Sequence, residues 1–138
     1  MIYTKKEVIM NLSKIRTTIL SLQKRRSELE NILINTRKKM EPGSLIKVFT
    51  SCRKGNCKCT KGEKHGPFIH LNQKIEGKYT HRYAGKKSDQ ATVKRVRAYM
   101  NFQHTLAELR KIKKEIDSLF NLYRDTSSVY PKINKDQK

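Results

Sequence analysis

The 138-residue chain has no tryptophan, three prolines, three cysteines and twelve acidic residues. No apolar run approaches the length needed to span a bilayer, and the start MIYTKKEVIMNLSKIR alternates charge with apolar residues where a signal peptide would build an apolar core. A cytoplasmic protein without membrane contact is expected. Three thiols cannot pair off internally, and Cys57 and Cys59 are too close in sequence to bridge without strain, which argues against a disulfide framework. The acids are too few and too scattered for a metal-dependent nuclease, since Glu63 and Glu76 are the only two between residues 44 and 87. A non-enzymatic role follows as the expectation.

What the chain does have is one dense stretch. Cys52-Arg-Lys-Gly-Asn-Cys57-Lys-Cys59 is followed by Thr60-Lys-Gly-Glu-Lys-His65-Gly66-Pro67, a C-x4-C-x-C-x5-H spacing. Thiolates and an imidazole hold Zn²⁺ tetrahedrally, and the Cys3His set Cys52, Cys57, Cys59 and His65 completes four-coordination with no position left for water or substrate. The spacing predicts a structural zinc ion. Gly55-Asn56 and Lys61-Gly62 supply residues that tolerate the positive φ of a chain folding around an ion. His70 or His81 could replace His65 as fourth ligand, and the thiols could instead be small reduced hydrophobes. A catalytic cysteine is less well supported, because no orienting base and acid partner is identifiable around any of the three.

Lys and Arg number 32, for a formal net charge of +20, which favours a polyanionic partner, most often nucleic acid. The net charge is +6 over residues 1–43, +9 over 44–87 and +5 over 88–138, so the cysteine-containing middle is the most basic part. The expected phosphate contacts are Lys47, Arg53, Lys54, Lys58, Lys61 and Lys64 in and before the metal loops. Lys74, Lys78, Arg82, Lys86 and Lys87 follow on or beside a hairpin, and Lys94, Arg95 and Arg97 open a second helix. Phe68, Tyr79 and Tyr83 interleave with these cations and could stack on unpaired bases or form the core of a small sheet.

From Thr4 to Met40 the apolar residues step by four and three through Val8, Leu12, Ile15, Ile19, Leu22, Leu29 and Leu33, with Arg26 interrupting the heptad seam. A long helix over residues 4–40 is expected. A second, over 88–126 with an N-cap from Ser88-Asp89, has Tyr99, Phe102, Leu106, Leu109, Lys113, Ile116, Phe120 and Tyr123 on its seam and Ile112 and Leu119 beside it. Arg26 and Lys113 could specify register or snorkel to water. The helices are expected to fold back antiparallel, residue 12 level with 120 and 19 with 113.

Residues 43–87 read as a head of three short strands: Ser44–Thr50, Pro67–Asn72 and Lys78–Tyr83. Alternation suggests Ile46, Val48, Ile69 and Leu71 on a packed face and Lys47, His70, Lys78 and Arg82 on the other. The fold class expected is mainly α with a small β insert (α+β): a single domain, a coiled-coil-like hairpin with a zinc-stabilised β head at its tip. Residues 127–138 read as a loose polar tail. A single two-helix seam is a thin core, so a homodimer through the helices or docking on a larger protein is also expected.

Gly43-Ser-Leu-Ile-Lys, the C-x4-C-x-C run, His65-Gly-Pro-Phe68, the Tyr-rich hairpin and the basic helix together resemble a family of small uncharacterised prokaryotic proteins with a GSL…C-x4-C-x-C…HGP-aromatic core. The resemblance covers roughly residues 42–122 and implies a zinc-knuckle module flanked by helices, associated with phages and other mobile elements. The long basic N-terminal helix departs from that pattern. The leading expectation is a nucleic-acid-binding accessory protein, of RNA or DNA, within such a system. The alternative is an assembly subunit whose helical stalk docks on a larger protein.

Overall fold

A computed structural model describes residues 4–128, without the side chains of residues 5–8. The elements in chain order are α1 (Lys5–Ile34), β1 (Ser44–Thr50), β2 (His65–Ile75), β3 (Lys78–Tyr83) and α2 (Gln90–Ser127), with one-turn 3-10 helices at Lys58–Lys61 and Lys87–Asp89. The fold is α+β, as its sequence pattern implies. The side chain at the Val8 seam position and the tail from Val129 onward lie outside what is described. No described helix is long and apolar enough to cross a membrane.

The chain divides into two compact units: α1 with the part of α2 from Leu106 onward, and Thr36–Thr105. In the first, Leu29, Leu109, Ile112 and Ile116 form a buried cluster with Leu22, Leu33 and Leu106 packed against it. Fully burying each of the four contributes about 1.5–3 kcal/mol, which offsets part of the cost of ordering the helix pair. Arg16 donates to the Tyr123 hydroxyl at 2.6 Å and Arg25 pairs with Glu108 at 2.9 Å. The two contacts run in opposite chain order, so the helices are antiparallel.

One detail differs from the heptad reading. Lys113 is exposed and Ile112 takes the core position, so the buried line reads Leu109, Ile112, Ile116 with Leu119 half-buried. Both frames step by three and four, and the one observed avoids burying an ammonium group. Ile19 shares a groove with Phe120 and Tyr123. Arg26 lies within 3.7 Å of Glu30 on the same helix and keeps its head in water.

α1 stops at Ile34, before the Met40 limit set by the apolar period. Asn31, Asn35 and Thr36 are weak helix formers, and Glu41 is held elsewhere. Its backbone N–H donates to the Arg95 carbonyl, and its carboxylate accepts from Arg95 at 3.0 Å and from Gln73 at 3.0 Å.

In the second unit the sheet order is β1-β2-β3, all antiparallel. Leu71, Ala84 and Val96 form its buried core, with Leu45, Val93 and Met100 packed around them. Val93, Val96 and Met100 recur at helical spacing, so one face of the start of α2 covers one face of the sheet. Leu45 pairs with Leu71, whereas Ile46 pairs with His70 and Val48 with Phe68. Ile46 and Val48 therefore lie on the face opposite Leu71, the reverse of the alternation expected for β1, and Ile46 is 42 % exposed. Lys47 and Arg82, paired with Ile69 and Leu71, lie on the Leu71 side, as does Lys78, and not with His70. Arg82 reaches the buried carboxylate of Asp89 at 2.7 Å. Asp89 also accepts from the Lys86 N–H, so it closes the 3-10 turn before α2 from that turn's third position and not as the N-cap expected of it.

Candidate metal centre and cationic surface

Backbone pairing brings the ligand segment together. Thr50 of β1 pairs with His65, the first residue of β2, after a register irregularity between Val48 and Thr50. The loop from Ser51 to Lys64 is thereby closed at its base. Inside it, Cys57 has extended backbone at the start of the Lys58–Lys61 turn, Cys59 sits buried within that turn, and Gly62 ends it at φ 104°. Gly62 serves because a residue without Cβ takes left-handed backbone at no steric cost.

Gly66 has a second constraint. Its φ is 130°, and a Cβ added there would lie 2.7 Å from the Val48 carbonyl oxygen. The His-Gly-Pro run therefore requires glycine where β2 crosses close to β1, one residue after His65.

Ligand atoms of Cys52, Cys57, Cys59 and His65 all lie within 4.8 Å of one another, close enough to hold a metal ion. They meet as two pairs: Cys52 Sγ to Cys59 Sγ at 3.3 Å, and Cys57 Sγ to His65 Nε2 at 3.1 Å. The cysteines are free, without a disulfide among them. The Lys54 backbone holds the Cys52 thiol below its ordinary pKa, helped by the neighbouring thiols. Contact with Cys52, and then burial, pushes the Cys59 thiol up. The lowering at Cys52 favours the thiolate form, which suits a cation-binding role.

His70 and His81 are not part of this cluster. Their ring nitrogens lie 3.1 Å apart and the rings stack at 4.9 Å, and the far nitrogen of His81 faces the Asn72 side-chain oxygen. The fourth position thus belongs to His65 by geometry.

The cations expected to meet phosphate divide into two sets. Arg53, Lys54, Lys58, Lys61 and Lys64 are exposed on the ligand loop, and Lys86 and Lys87 are exposed after β3. Arg82 and Arg95 are instead engaged with Asp89 and Glu41. They draw the Asp89 and Glu41 carboxyls below their ordinary range; Arg82 is the main cause for Asp89, while Gln73 leads and Arg95 follows for Glu41. Lys94 lines a shallow groove with Lys38, Lys39 and Arg95, and Arg97 is exposed nearby on α2. Lys47 and Lys78 are exposed, and the Lys74 ammonium lies 5.3 Å over the Tyr79 ring.

The observed phase of β1 assembles a further group that alternation alone does not bring together: Ile46, Val48, Phe68, His70, Asn72, Tyr79, His81 and Tyr83 share one sheet face. The signal was present in the alternation Phe68, His70, Asn72 of β2, which sets the phase once Leu71 is taken as core.

Neither a curated protein nor a solved structure matches the chain. A family model matches more than half of it, from Ile19 in α1 to Arg95 in α2, and that stretch contains all three strands and the four clustered ligands. The chain belongs to the family described as Domain of unknown function (DUF6788), matched over residues 19–95.

Proposed function

We propose that the protein is a non-enzymatic nucleic-acid-binding accessory protein, in which Cys52, Cys57, Cys59 and His65 hold a structural Zn²⁺ that keeps a cationic loop in shape. Three thiolates and an imidazole are a zinc donor set. A tetrahedral ion with Zn–S bonds of about 2.3 Å separates its sulfurs by about 3.8 Å, a value between the 3.3 Å of the Cys52–Cys59 pair and the 4.8 Å outer limit of the cluster. Four protein ligands leave no open position, so the ion acts as a staple for a sheet too small to be stable on apolar area alone.

One observation carries the binding reading: the loop closed by the ligands exposes five cations, Arg53, Lys54, Lys58, Lys61 and Lys64, against the single acid Glu63. Cations clustered in this way neutralise phosphates and release counterions. The setting in this reading, drawn from the motif resemblance, is a ribonucleoprotein or DNA-processing complex of a phage or other mobile element.

The test is binding of zinc-loaded protein to generic RNA and DNA across a salt series. Affinity is expected to fall linearly on a log–log scale as salt rises. Absence of binding at low salt overturns the reading.

A specific observation favours the assembly-subunit alternative. Leu20, 65 % exposed, and Phe120, 49 % exposed, flank an apolar groove between α1 and α2 lined also by Ile19 and Tyr123. An assembly role predicts weak nucleic-acid binding by the isolated protein and a defined complex through that groove, lost in Leu20→Glu.

A further inference from the structure

One face of the β1-β2-β3 sheet is covered by the start of α2, and among the described residues the other is open. On the open face the register aligns Val48 with Phe68, Ile46 with His70, His70 with Tyr83, Asn72 with His81 and Lys74 with Tyr79. Tyr79 is 85 % exposed and Tyr83 46 % exposed. A solvated strand face ordinarily carries Thr, Lys or Glu. This one carries five rings and no carboxylate, since Glu63 and Glu76 both lie outside the strands.

The rings form a connected row. Phe68 meets Tyr83 edge-on at 6.3 Å, Tyr83 meets His70 at 5.9 Å, and His70 stacks on His81 at 4.9 Å. Lys74 over Tyr79 extends the row toward the β2–β3 turn. At the opposite end, where Phe68, His70 and Tyr83 lie, the cation-bearing loop leads from the end of β1 to the start of β2, and Lys86 and Lys87 follow β3. A surface of this kind presents flat π faces in its middle and positive charge at its rim.

The occupant must supply both negative charge and flat rings. An acidic protein surface offers the first and a duplex hides the second inside its own stack. An unpaired strand supplies both, its phosphates to the rim and its bases to the rings. We infer that the open face of this sheet is a stacking platform selecting single-stranded over duplex nucleic acid, with Tyr79, Tyr83 and the His70–His81 pair as base contacts. The inference rests on the nucleic-acid reading above and names its substrate class.

The chain has no tryptophan, so Tyr79→Trp places a single indole on the platform. Zinc-loaded full-length protein carrying it is titrated with oligouridylate, oligothymidylate and a duplex of equal length. Quenching of the indole by the single strands, and tighter binding of them than of the duplex, are expected; quenching by oligouridylate alone assigns the platform to RNA. In the tryptophan-free protein, Tyr79→Ala should weaken single-strand binding about tenfold, and Tyr79→Phe should retain it. Duplex affinity should be unchanged in both. Equal affinity for all three probes with no effect of Tyr79→Ala or Tyr83→Ala overturns the platform and leaves charge-driven binding standing. Failure to bind any probe removes both.

Discussion

Cys57 Sγ and His65 Nε2 face each other across 3.1 Å, although a 3-10 turn and the left-handed Gly62 lie between them in the chain. Thr50 and His65 pair across the β1–β2 ladder, which closes the base of the loop that carries the ligands.

Purified protein is accordingly expected to carry close to one zinc ion per chain by elemental analysis. Cys57→Ser and His65→Ala should each lose it and disorder the loop while helix content by circular dichroism is largely kept. Folded protein that holds no metal would contradict the site.

Gly66→Ala should destabilise the sheet by roughly 1–3 kcal/mol, since the substitution combines an unfavourable φ with a Cβ against the Val48 carbonyl. Gly55, with nothing within 4 Å of a built Cβ, provides the control. Gly55→Ala should stay within about 0.5 kcal/mol of the parent. Equal melting temperatures for the two variants would show that β1 and β2 are not so closely apposed.

Acid should unfold the sheet unit through Asp89 and Glu41. Both carboxyls titrate below their ordinary values of 3.8 and 4.5, drawn down by Arg82 and by Gln73 with Arg95 respectively. Their contribution is complete above those ordinary values and is lost as pH falls through the lower folded-state values. Arg82→Ala leaves the buried Asp89 without its partner, so the acid midpoint followed by near-ultraviolet circular dichroism should move to higher pH. An unmoved midpoint would mean that the Arg82–Asp89 pair adds nothing.

Replacing Lys54, Lys58 and Lys61 together by Ala should reduce the slope of log affinity against log salt by about 2–3, at roughly 0.7–0.9 per lost phosphate contact. These side chains are exposed, so the fold should be unaffected. An unaltered slope would move the phosphate contacts to the alternative groove, lined by Lys38 and Lys39 in the segment after α1 and by Lys94 in α2.

Much of this arrangement can be read along the chain because it depends on neighbours in sequence. The period through Leu12, Ile15, Ile19, Leu22, Leu29 and Leu33 specifies a helix with one apolar stripe. The four ligands fall within fourteen residues, Cys52 to His65, so any compact turn brings them together. Harder to read were Lys113 against Ile112 and Ile46 against Leu45. Adjacent residues in each case offer two frames of equal local merit, and the difference lies in what covers them.

The amino-acid sequence on its own determined two amphipathic helices, three short strands and a Cys3His cluster, since backbone periodicity and ligand spacing are local properties. Tertiary structure alone decided that Leu45 and Leu71 meet Val96, that Arg82 and Arg95 answer Asp89 and Glu41, and that an aromatic face stays open. The physical reason is that a strand always offers two faces, and only the helix packed against one of them chooses which is core.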